Sequence, residues 1–422
     1  MNNTMNEDTF NNNGGENFSE TLSKFHDVVE LTRNLVKINS ENPIHCEVNV
    51  QNFLVSIIEK LGFEYDIIPF SKDRNNVVAT FPPSSAVNSQ NFHYIMFSGH
   101  MDTVLGYEIT RSENAPLEDG KIYGRGSCDM KGGIASFLTA ISHFTSDYNL
   151  NDLEQSSIAK MKKGICVVFT VDEEMGCAGI KALENYDKMG NDFHVDLCIN
   201  AEPSSLSPVI GHKGIVWIFL DFKGKMAHAS VPFLGDNAIE KASKFILALE
   251  PLKKELQTRT IEEYPIITPP TISVGVIKGG DETNIVPDNC RIQIDRRLTL
   301  NETGESALNE LKEIAKQQDL IDDIEFQPIR PKKCYIAPKG TQNEHYLALM
   351  DILSGYKTKG APFMEGFTEA AFYYEQFGIT AINLGPGSIE QAHKPDEYVE
   401  VDELLKACEI YYKILEKYIL EK

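Results

Sequence analysis

The chain has 422 residues, of which 42% are hydrophobic, so it is long enough for two globular cores. Forty basic residues against sixty-two acidic ones give a formal net charge of −22. This balance argues against binding nucleic acid or an anionic membrane surface through bulk charge.

Residues 1–17 are rich in Asn and poor in apolar residues, which predicts a disordered tail. From Thr21 to about Leu61 the apolar spacing is helical. Strands are predicted at NNVVATF, HYIMFSGH, GICVVFTVDEE and VDLCINAEP, with a glycine-led helix from Lys131 to Phe144. The polar stretch at 145–162 is interpreted as an insertion. Strands that alternate with helices predict an α/β domain with a mostly parallel central sheet.

The sequence pattern changes near residue 212, where KGIVWIFLDFKGKMAH alternates apolar and polar residues with period two. The order β-α-β-β-α-β that follows predicts an inserted ferredoxin-like α+β domain over 212–328. The α/β pattern then returns and ends in GITAINLGPG and a last helix, DELLKACEIYYKILEKYI. The sequence therefore predicts a catalytic domain, 18–211 and 329–422, around one insert.

Acids and histidines stand just after the apolar strands or in glycine-rich loops. Since ligands bind beyond the carboxyl ends of parallel strands, these positions are candidates for a common site. They are His100 and Asp102, Asp129, Glu173 and Glu174, Glu202, and His393.

Two histidines and three carboxylates suit a pair of zinc ions, which lie about 3.5–4 Å apart when one carboxylate bridges them. In this scheme Asp129 is the bridge. His100 and Glu202 complete one ion, and Glu174 and His393 complete the other. Glu173 is then free to act as the general base. Asp102 can orient the His100 ring.

Each of these features also has a plainer explanation. A His-x-Asp at a strand end often caps the strand, a Glu–Glu pair is usually solvated, and a His in a Gly/Pro-rich loop is usually exposed. Spacing alone leaves open whether these side chains meet in space.

The chain resembles the dinuclear zinc aminoacylase/carboxypeptidase superfamily, the M20 metallopeptidases, over roughly residues 20–420. The motifs are SGHMDTV, GRGSCDMKGG, TVDEEMG, GKMAHAS and GGDETNIVP. The segments AEPSSLSPVIGHKG, GFTEAA and LGPGSIEQAHKPDEYVE point more narrowly to the acetylornithine deacetylase branch. Two zinc ions per subunit, with cobalt as a substitute, are what this resemblance implies.

The resemblance assigns the same metal and base roles to the strand-end residues, with Glu173, Asp102 and His228 as the catalytic set. It further implies that His228 reaches the substrate oxyanion across a homodimer interface and that the insert is both dimerisation domain and lid. Asn284 and Arg297 match residues that hold the substrate carboxylate, although an additional Arg296 precedes Arg297 here. Glu369 is the candidate to face a substrate ammonium.

The implied activity is hydrolysis of N2-acetyl-L-ornithine to L-ornithine and acetate, a step of arginine biosynthesis. A related N-acyl-amino-acid deacylase, a succinyl-diaminopimelate desuccinylase or a dipeptidase would share the same metal site and stays an alternative. An inactive homologue that only binds would have lost a ligand or the base, and none is missing.

Eight cysteines without a CxxC pair, several of them in apolar runs, indicate reduced thiols and a cytoplasmic protein. No apolar run approaches the roughly 20 residues of a membrane span, and no secretory signal is recognisable at the N-terminus. The expected partner is therefore a small N-acyl amino acid, with no nucleic acid and no membrane.

Overall fold

The structure is a computed structural model, and it describes residues 27–44, 47–83, 87, 92–150, 158, 161–186, 188–189, 194–358 and 360–420. The Asn-rich segment 1–17 and half of the polar stretch 145–162 lie outside these residues. Two hydrophobic cores are present. The larger one runs from Val28 to Ile419, and the smaller one lies within Val216–Ile324.

Strands contribute to both cores. They are β1 (Glu64–Ser71), β2 (Arg74–Phe81), β3 (His93–His100), β4 (Leu117–Glu118), β5 (Lys121–Tyr123), β6 (Lys163–Thr170), β7 (His194–Asn200), β8 (Gly211–His212), β9 (Gly214–Lys223), β10 (Ala227–His228), β11 (Thr271–Gly279), β12 (Ile285–Val286), β13 (Asn289–Leu298), β14 (Ile324–Lys332), β15 (Tyr335–Ile336), β16 (Phe363–Met364), β17 (Thr380–Asn383) and β18 (Tyr398–Glu400).

Helices cover the sheets. They are α1 (Val28–Lys37), α2 (Val48–Lys60), α3 (Gly132–Asp147), α4 (Ala178–Lys181), α5 (Ala238–Ala248), α6 (Glu250–Leu256), α7 (Gly304–Gln317), α8 (Glu344–Ile352), α9 (Ala370–Phe377) and α10 (Val401–Ile419).

The central sheet has the strand order β1-β2-β6-β3-β7-β17. Strands β6, β3, β7 and β17 run parallel, whereas β1 and β2 are antiparallel to their neighbours. The apolar run of β3 is buried at every position after its first residue, because helices cover both faces of a parallel sheet. Helix α10 packs on α3 through a stripe at helical spacing, which includes Leu404, Ala407, Tyr411 and Leu415.

The insert contains a four-stranded antiparallel sheet in the order β11-β13-β9-β14. Strand β9 alternates strictly, so Val216, Ile218, Leu220 and Phe222 face the smaller core. Helices α5, α6 and α7 pack on that face. The opposite face, which carries Trp217, is turned away from the insert's own helices.

Two segments of the chain, which run side by side, connect the two cores. Strand β8 pairs with β15 and β16 just before the chain enters β9, and the returning strand β14 ends just before β15. Gly214 lies where the two connections touch. A Cβ there would come within 2.5 Å of the Lys332 carbonyl oxygen and of the Cys334 amide nitrogen, so only glycine fits this approach.

The predicted α/β fold with a mostly parallel central sheet and an α+β insert is confirmed, and the two strands at one edge, β1 and β2, make the antiparallel pairings. The helical spacing expected from Thr21 to Leu61, in the segments FHDVVELTRNLVKI and VNVQNFLVSIIEKL, is confirmed from residue 27 onward as two helices, α1 and α2. Strand β1 and the continuation of β14 to Lys332 were not expected. None of the helices in the described part of the chain is long and apolar enough to cross a membrane, and the seven cysteines placed there are unpaired.

Candidate metal centre and substrate cavity

The parallel strands bring most of the candidate residues to one edge of the central sheet. His100 is the last residue of β3, Glu173 and Glu174 follow β6, and Glu202 follows β7. His393 lies in the loop after β17. Because the carboxyl ends of parallel strands share an edge, these residues converge although more than 290 positions separate the first from the last.

Asp129 lies at the centre of this group, in the turn Ser127–Lys131 that precedes α3, where its own backbone is extended rather than helical. Its Oδ1 is 3.1 Å from Nε2 of His100, and its Oδ2 is 3.5 Å from Nε2 of His393. The His393 Nε2 is also 3.1 Å from a carboxylate oxygen of Glu174. Ligand atoms of His100, Asp129 and Glu174 all lie within 4.8 Å of one another. Asp129 therefore presents one carboxylate oxygen to each histidine.

The buried carboxylates of this cluster have the electrostatics that suit a bound cation. Burial raises the pKa values of Glu173 and Glu202 far above the ordinary range, and neighbouring carboxylates act in the same direction. Burial also opposes ionisation of Asp129, but its hydrogen bonds with His100 and His393 prevail and lower its pKa. Hydrogen bonds to Asp129 and Glu174 raise the pKa of His393 to about 10. Protons thus neutralise the cluster where divalent cations would do so more directly.

Asp102 acts on the cluster in two ways. Its main-chain oxygen is 2.9 Å from Nδ1 of His100, whereas its carboxylate is 3.6 Å away. The expected orienting contact to the ring is therefore made by the backbone at the shorter distance. The carboxylate accepts the backbone N–H groups of Glu173 and Glu174 at 3.1 and 3.2 Å and the Asn42 amide at 3.0 Å. It thereby ties the Glu–Glu turn to the end of β3.

Glu397 is a positioning residue that sequence reasoning missed. Its buried carboxylate accepts the backbone N–H groups of Cys128 and Asp129 at 3.0 and 3.1 Å, and it pairs with Arg125 at 2.6 Å. These contacts hold the turn that carries Asp129. Glu397 is the Glu of the PDEY segment. Sequence alone predicts that a Glu in such a polar loop is solvated, whereas the fold buries this one.

A cavity of about 210 Å³ opens between the cluster and the insert. Catalytic-domain residues form one wall, and β9, β13 and β14 of the insert sheet form the other. The lining residues are Asp129, Glu173, Glu174, Gly176, Cys177, Glu202, Ile215, Trp217, Arg297, Lys332, Gly366, Phe367, Thr368, Ile389 and His393.

The two adjacent arginines of β13 point to opposite faces of the sheet. Arg296 is 1% exposed and pairs with Glu302 and Glu310 inside the insert. Arg297 faces the cavity, which resolves which of the two is available to substrate. Its guanidinium is bound by Asp295 at 2.8 and 3.2 Å, so much of its charge is already offset.

Five predicted site residues do not line the cavity: the buried His100 and Asp102 behind the cluster, and His228, Asn284 and Glu369. His228 and Asn284 are exposed on the insert, where the Ala229 N–H donates to the Asn284 carbonyl at 2.9 Å. Glu369 is 1% exposed, and its carboxylate accepts the Thr170 hydroxyl at 2.7 Å. Glu369 was expected to face a substrate ammonium, but it is not among the described residues that line the cavity.

Comparisons with known proteins point in one direction. Residues 96–417 match the family model "Peptidase family M20/M25/M40". An acetylornithine deacetylase of Yersinia pseudotuberculosis is 29% identical over 384 residues, which are 88% of this chain and 91% of the relative. An M20 family metallo-carboxypeptidase from Sulfolobus solfataricus superposes with a TM-score of 0.73 at 20% identity, over 93% and 99% of the two chains. A tripeptidase from Staphylococcus aureus gives 0.70 at 22% identity, over 93% and 98%.

Proposed function

Because the chain belongs to peptidase family M20/M25/M40 and is a metal-dependent amidohydrolase, we propose that it hydrolyses N2-acetyl-L-ornithine to L-ornithine and acetate. The observation that carries this choice is the likeness to an acetylornithine deacetylase over 88% of the chain. Such a reaction would place the protein in arginine biosynthesis. The absence of disulfides among the described cysteines supports the cytoplasm as its compartment.

The donor set suits two zinc ions. Imidazole nitrogen and carboxylate oxygen are the ligands that zinc takes in catalytic sites, and cobalt accepts the same set. Asp129 turns one oxygen toward each histidine, as a bridging carboxylate must. His100 and Glu202 would hold one ion, and Glu174 and His393 the other. Bound there, the ions would supply Lewis acidity that acidifies water and polarises the amide carbonyl.

Glu173 is the proposed general base. Its side chain lines the cavity, but the paired-ligand scheme does not use it. Glu173 would take a proton from the attacking water and deliver that proton to the leaving amine, so that the amide nitrogen departs neutral. The Cys177 thiol lies 3.5 Å from Oε1 of Glu173 and helps to fix the orientation of the carboxylate.

A second subunit would complete the site. His228 and Asn284 are exposed and lie off the cavity of their own chain. They adjoin a patch of large apolar side chains, Met226, Phe233, Leu234 and Ile285, which are 40–79% exposed. Exposed apolar patches commonly mark protein interfaces. We therefore propose a homodimer through the insert, which would offer His228 to the partner's substrate and stabilise the oxyanion.

The test is release of ornithine from N2-acetyl-L-ornithine by the zinc-loaded protein. N-succinyl-diaminopimelate, N-acetylmethionine and a dipeptide would be run beside it. We expect kcat/KM to be highest for acetylornithine. Turnover of another substrate alone would reject the specificity and keep the hydrolase, whereas no turnover with two metals bound would favour a binding protein.

Substitution of the base is the matched mechanistic test. Glu173→Gln keeps the shape of the side chain but removes the proton acceptor, so kcat should fall about 10²- to 10⁴-fold. Zinc content, measured by atomic absorption, should remain at the wild-type level. The exposed Glu184→Gln serves as control. Full turnover by Glu173→Gln would exclude the proposed proton transfer.

A further inference from the structure

A buried lysine faces the cavity from the insert side. Lys332 is the last residue of β14 and is 9% exposed, and its side chain lines the cavity. Among the described residues, no carboxylate lies within 4.0 Å of its ammonium group. The ammonium sits 4.1 Å from the centre of the Phe372 ring, which orders it without neutralising it.

The sheet register shows where this charge stands. On β9, Ile215 is paired with Arg297 of β13 on one side and with Lys332 of β14 on the other. Cross-strand partners point to the same face of a sheet, so the two cations flank Ile215 on the cavity wall. They differ in charge balance, because Arg297 is already bound by Asp295. Lys332 is thus the less compensated cation of this pair.

Lys332 also lies within electrostatic range of the reacting centre. It interacts with Cys177, whose thiol contacts the Glu173 carboxylate, and with the buried Glu369. An anionic group bound to Lys332 would therefore stand a short distance from the amide that Glu173 serves. Burying an ammonium without a counter-ion is unfavourable, so a substrate anion that enters the cavity would relieve that cost.

We propose that Lys332 binds the α-carboxylate of the N-acyl amino acid and thereby positions its amide for hydrolysis. This inference rests on the proposed amide hydrolysis, and it assigns to Lys332 the contact that the sequence had suggested for Arg297. Arg297, held by Asp295, then borders the carboxylate rather than providing its main partner. The proposal applies to any N-acyl amino acid with a free carboxylate.

The test compares acids with their neutral amides. Substrate pairs are N2-acetyl-L-ornithine with its α-carboxamide and N-acetyl-L-methionine with its α-carboxamide. Wild-type enzyme should prefer the acids. Lys332→Met should lower kcat/KM for the acids about 10- to 100-fold, mainly through KM, and change it little for the amides. Lys333→Met, which removes the exposed neighbouring ammonium, is the matched control and should behave as wild type.

A binding measurement separates this inference from the proposed function. Calorimetry would compare N-acetyl-L-methionine with its amide on zinc-loaded Glu173→Gln protein, with and without Lys332→Met. Failure of acetylornithine turnover together with Lys332-dependent preference for the acid would reject the substrate and support the inference. Equal loss for acid and amide in Lys332→Met would overturn it. The inference would also be overturned if Arg297→Met lost the preference for the acid while Lys332→Met kept it.

Discussion

At the scale of single residues, Glu397 shows how the metal centre depends on a side chain that would hold no metal. Its carboxylate fixes the backbone of Asp129 and is itself held by Arg125. Glu397→Gln keeps the volume but places an amide N–H₂ group opposite the Arg125 guanidinium. We expect zinc affinity to fall about 10- to 100-fold, as for other groups that support a ligand from behind.

Competition with a chromophoric chelator would measure the zinc affinity of this variant. The exposed Glu400→Gln, a few residues along the chain, is the control and should bind zinc as the wild type does. Unchanged affinity in Glu397→Gln would show that the turn holds Asp129 without help.

Lys332 should give the substrate affinity a pH dependence. Burial lowers the pKa of Lys332 to about 8, the ammonium of Lys181 acts in the same direction, and Cys177 and Glu369 oppose the shift. Since only the charged form attracts a carboxylate, KM for an acid substrate should rise about tenfold for each pH unit well above 8. KM for the amide should not follow. Steady-state kinetics from pH 7 to 9.5 would show this, and an identical profile in Lys332→Met would contradict it.

The candidate residues that sequence could place together are those that follow a strand of the central sheet. His100, Glu174 and Glu202 are of this kind, because a parallel sheet gathers them regardless of their distance in sequence. Glu397 and Glu369 are not, since their roles depend on burial that long-range packing creates. Lys332 was overlooked because the insert was expected to end at residue 328, and β14 carries the chain to the cavity wall.

At the scale of elements, strand β8 forms the junction between the two cores, and its His212 is fully buried. Burial lowers the pKa of His212 to about 4, from an ordinary value of 6.5. The centres of the His212 and Phe367 rings are 4.7 Å apart, and Nδ1 of His212 is 3.0 Å from the carbonyl oxygen of Lys213. The folded protein therefore keeps this ring neutral where an unfolded chain would protonate it.

This difference should make the junction sensitive to acid. As pH falls through about 6.5 the unfolded chain gains a proton on His212, and the folded protein gains it only near 4. The free energy of unfolding should therefore drop by up to roughly 3 kcal/mol across that window. Urea unfolding at pH 7.0 and 4.5 would measure it. His212→Asn should be less stable at pH 7 but show a shallower slope, and an equal slope would contradict the assignment.

Elements with strong periodicity were predictable, and elements defined by their neighbours were not. The alternation of β9 and the apolar stripe of α10 are visible in the sequence, because each buries one face. Strand β1 contains Pro69 and lies at the edge of the sheet, so its sequence lacks the apolar run of an inner strand. Only its pairing with β2 makes it a strand.

At the scale of the whole molecule, the exposed patch on the insert predicts the oligomeric state. Phe233 is 79% exposed beside His228, so Phe233→Asp should convert a dimer into a monomer and lower kcat. Sedimentation velocity at micromolar concentration would show the change in mass. Leu405→Asp on α10, 51% exposed on the other domain, is the control. A fully active wild-type monomer would contradict the proposed dimer.

The cavity wall that carries Lys332 and Trp217 is the insert sheet, whose opposite face packs on the smaller core, whereas the wall that carries Glu173 belongs to the catalytic domain. The proposed carboxylate contact and the proposed general base thus stand on separate domains joined by two adjacent connections. A ligand that spans the gap would act as a third connection between the two domains. We therefore expect activity to depend on substrate length. A molecule too short to contact both walls would leave the amide unaligned, however well either end binds.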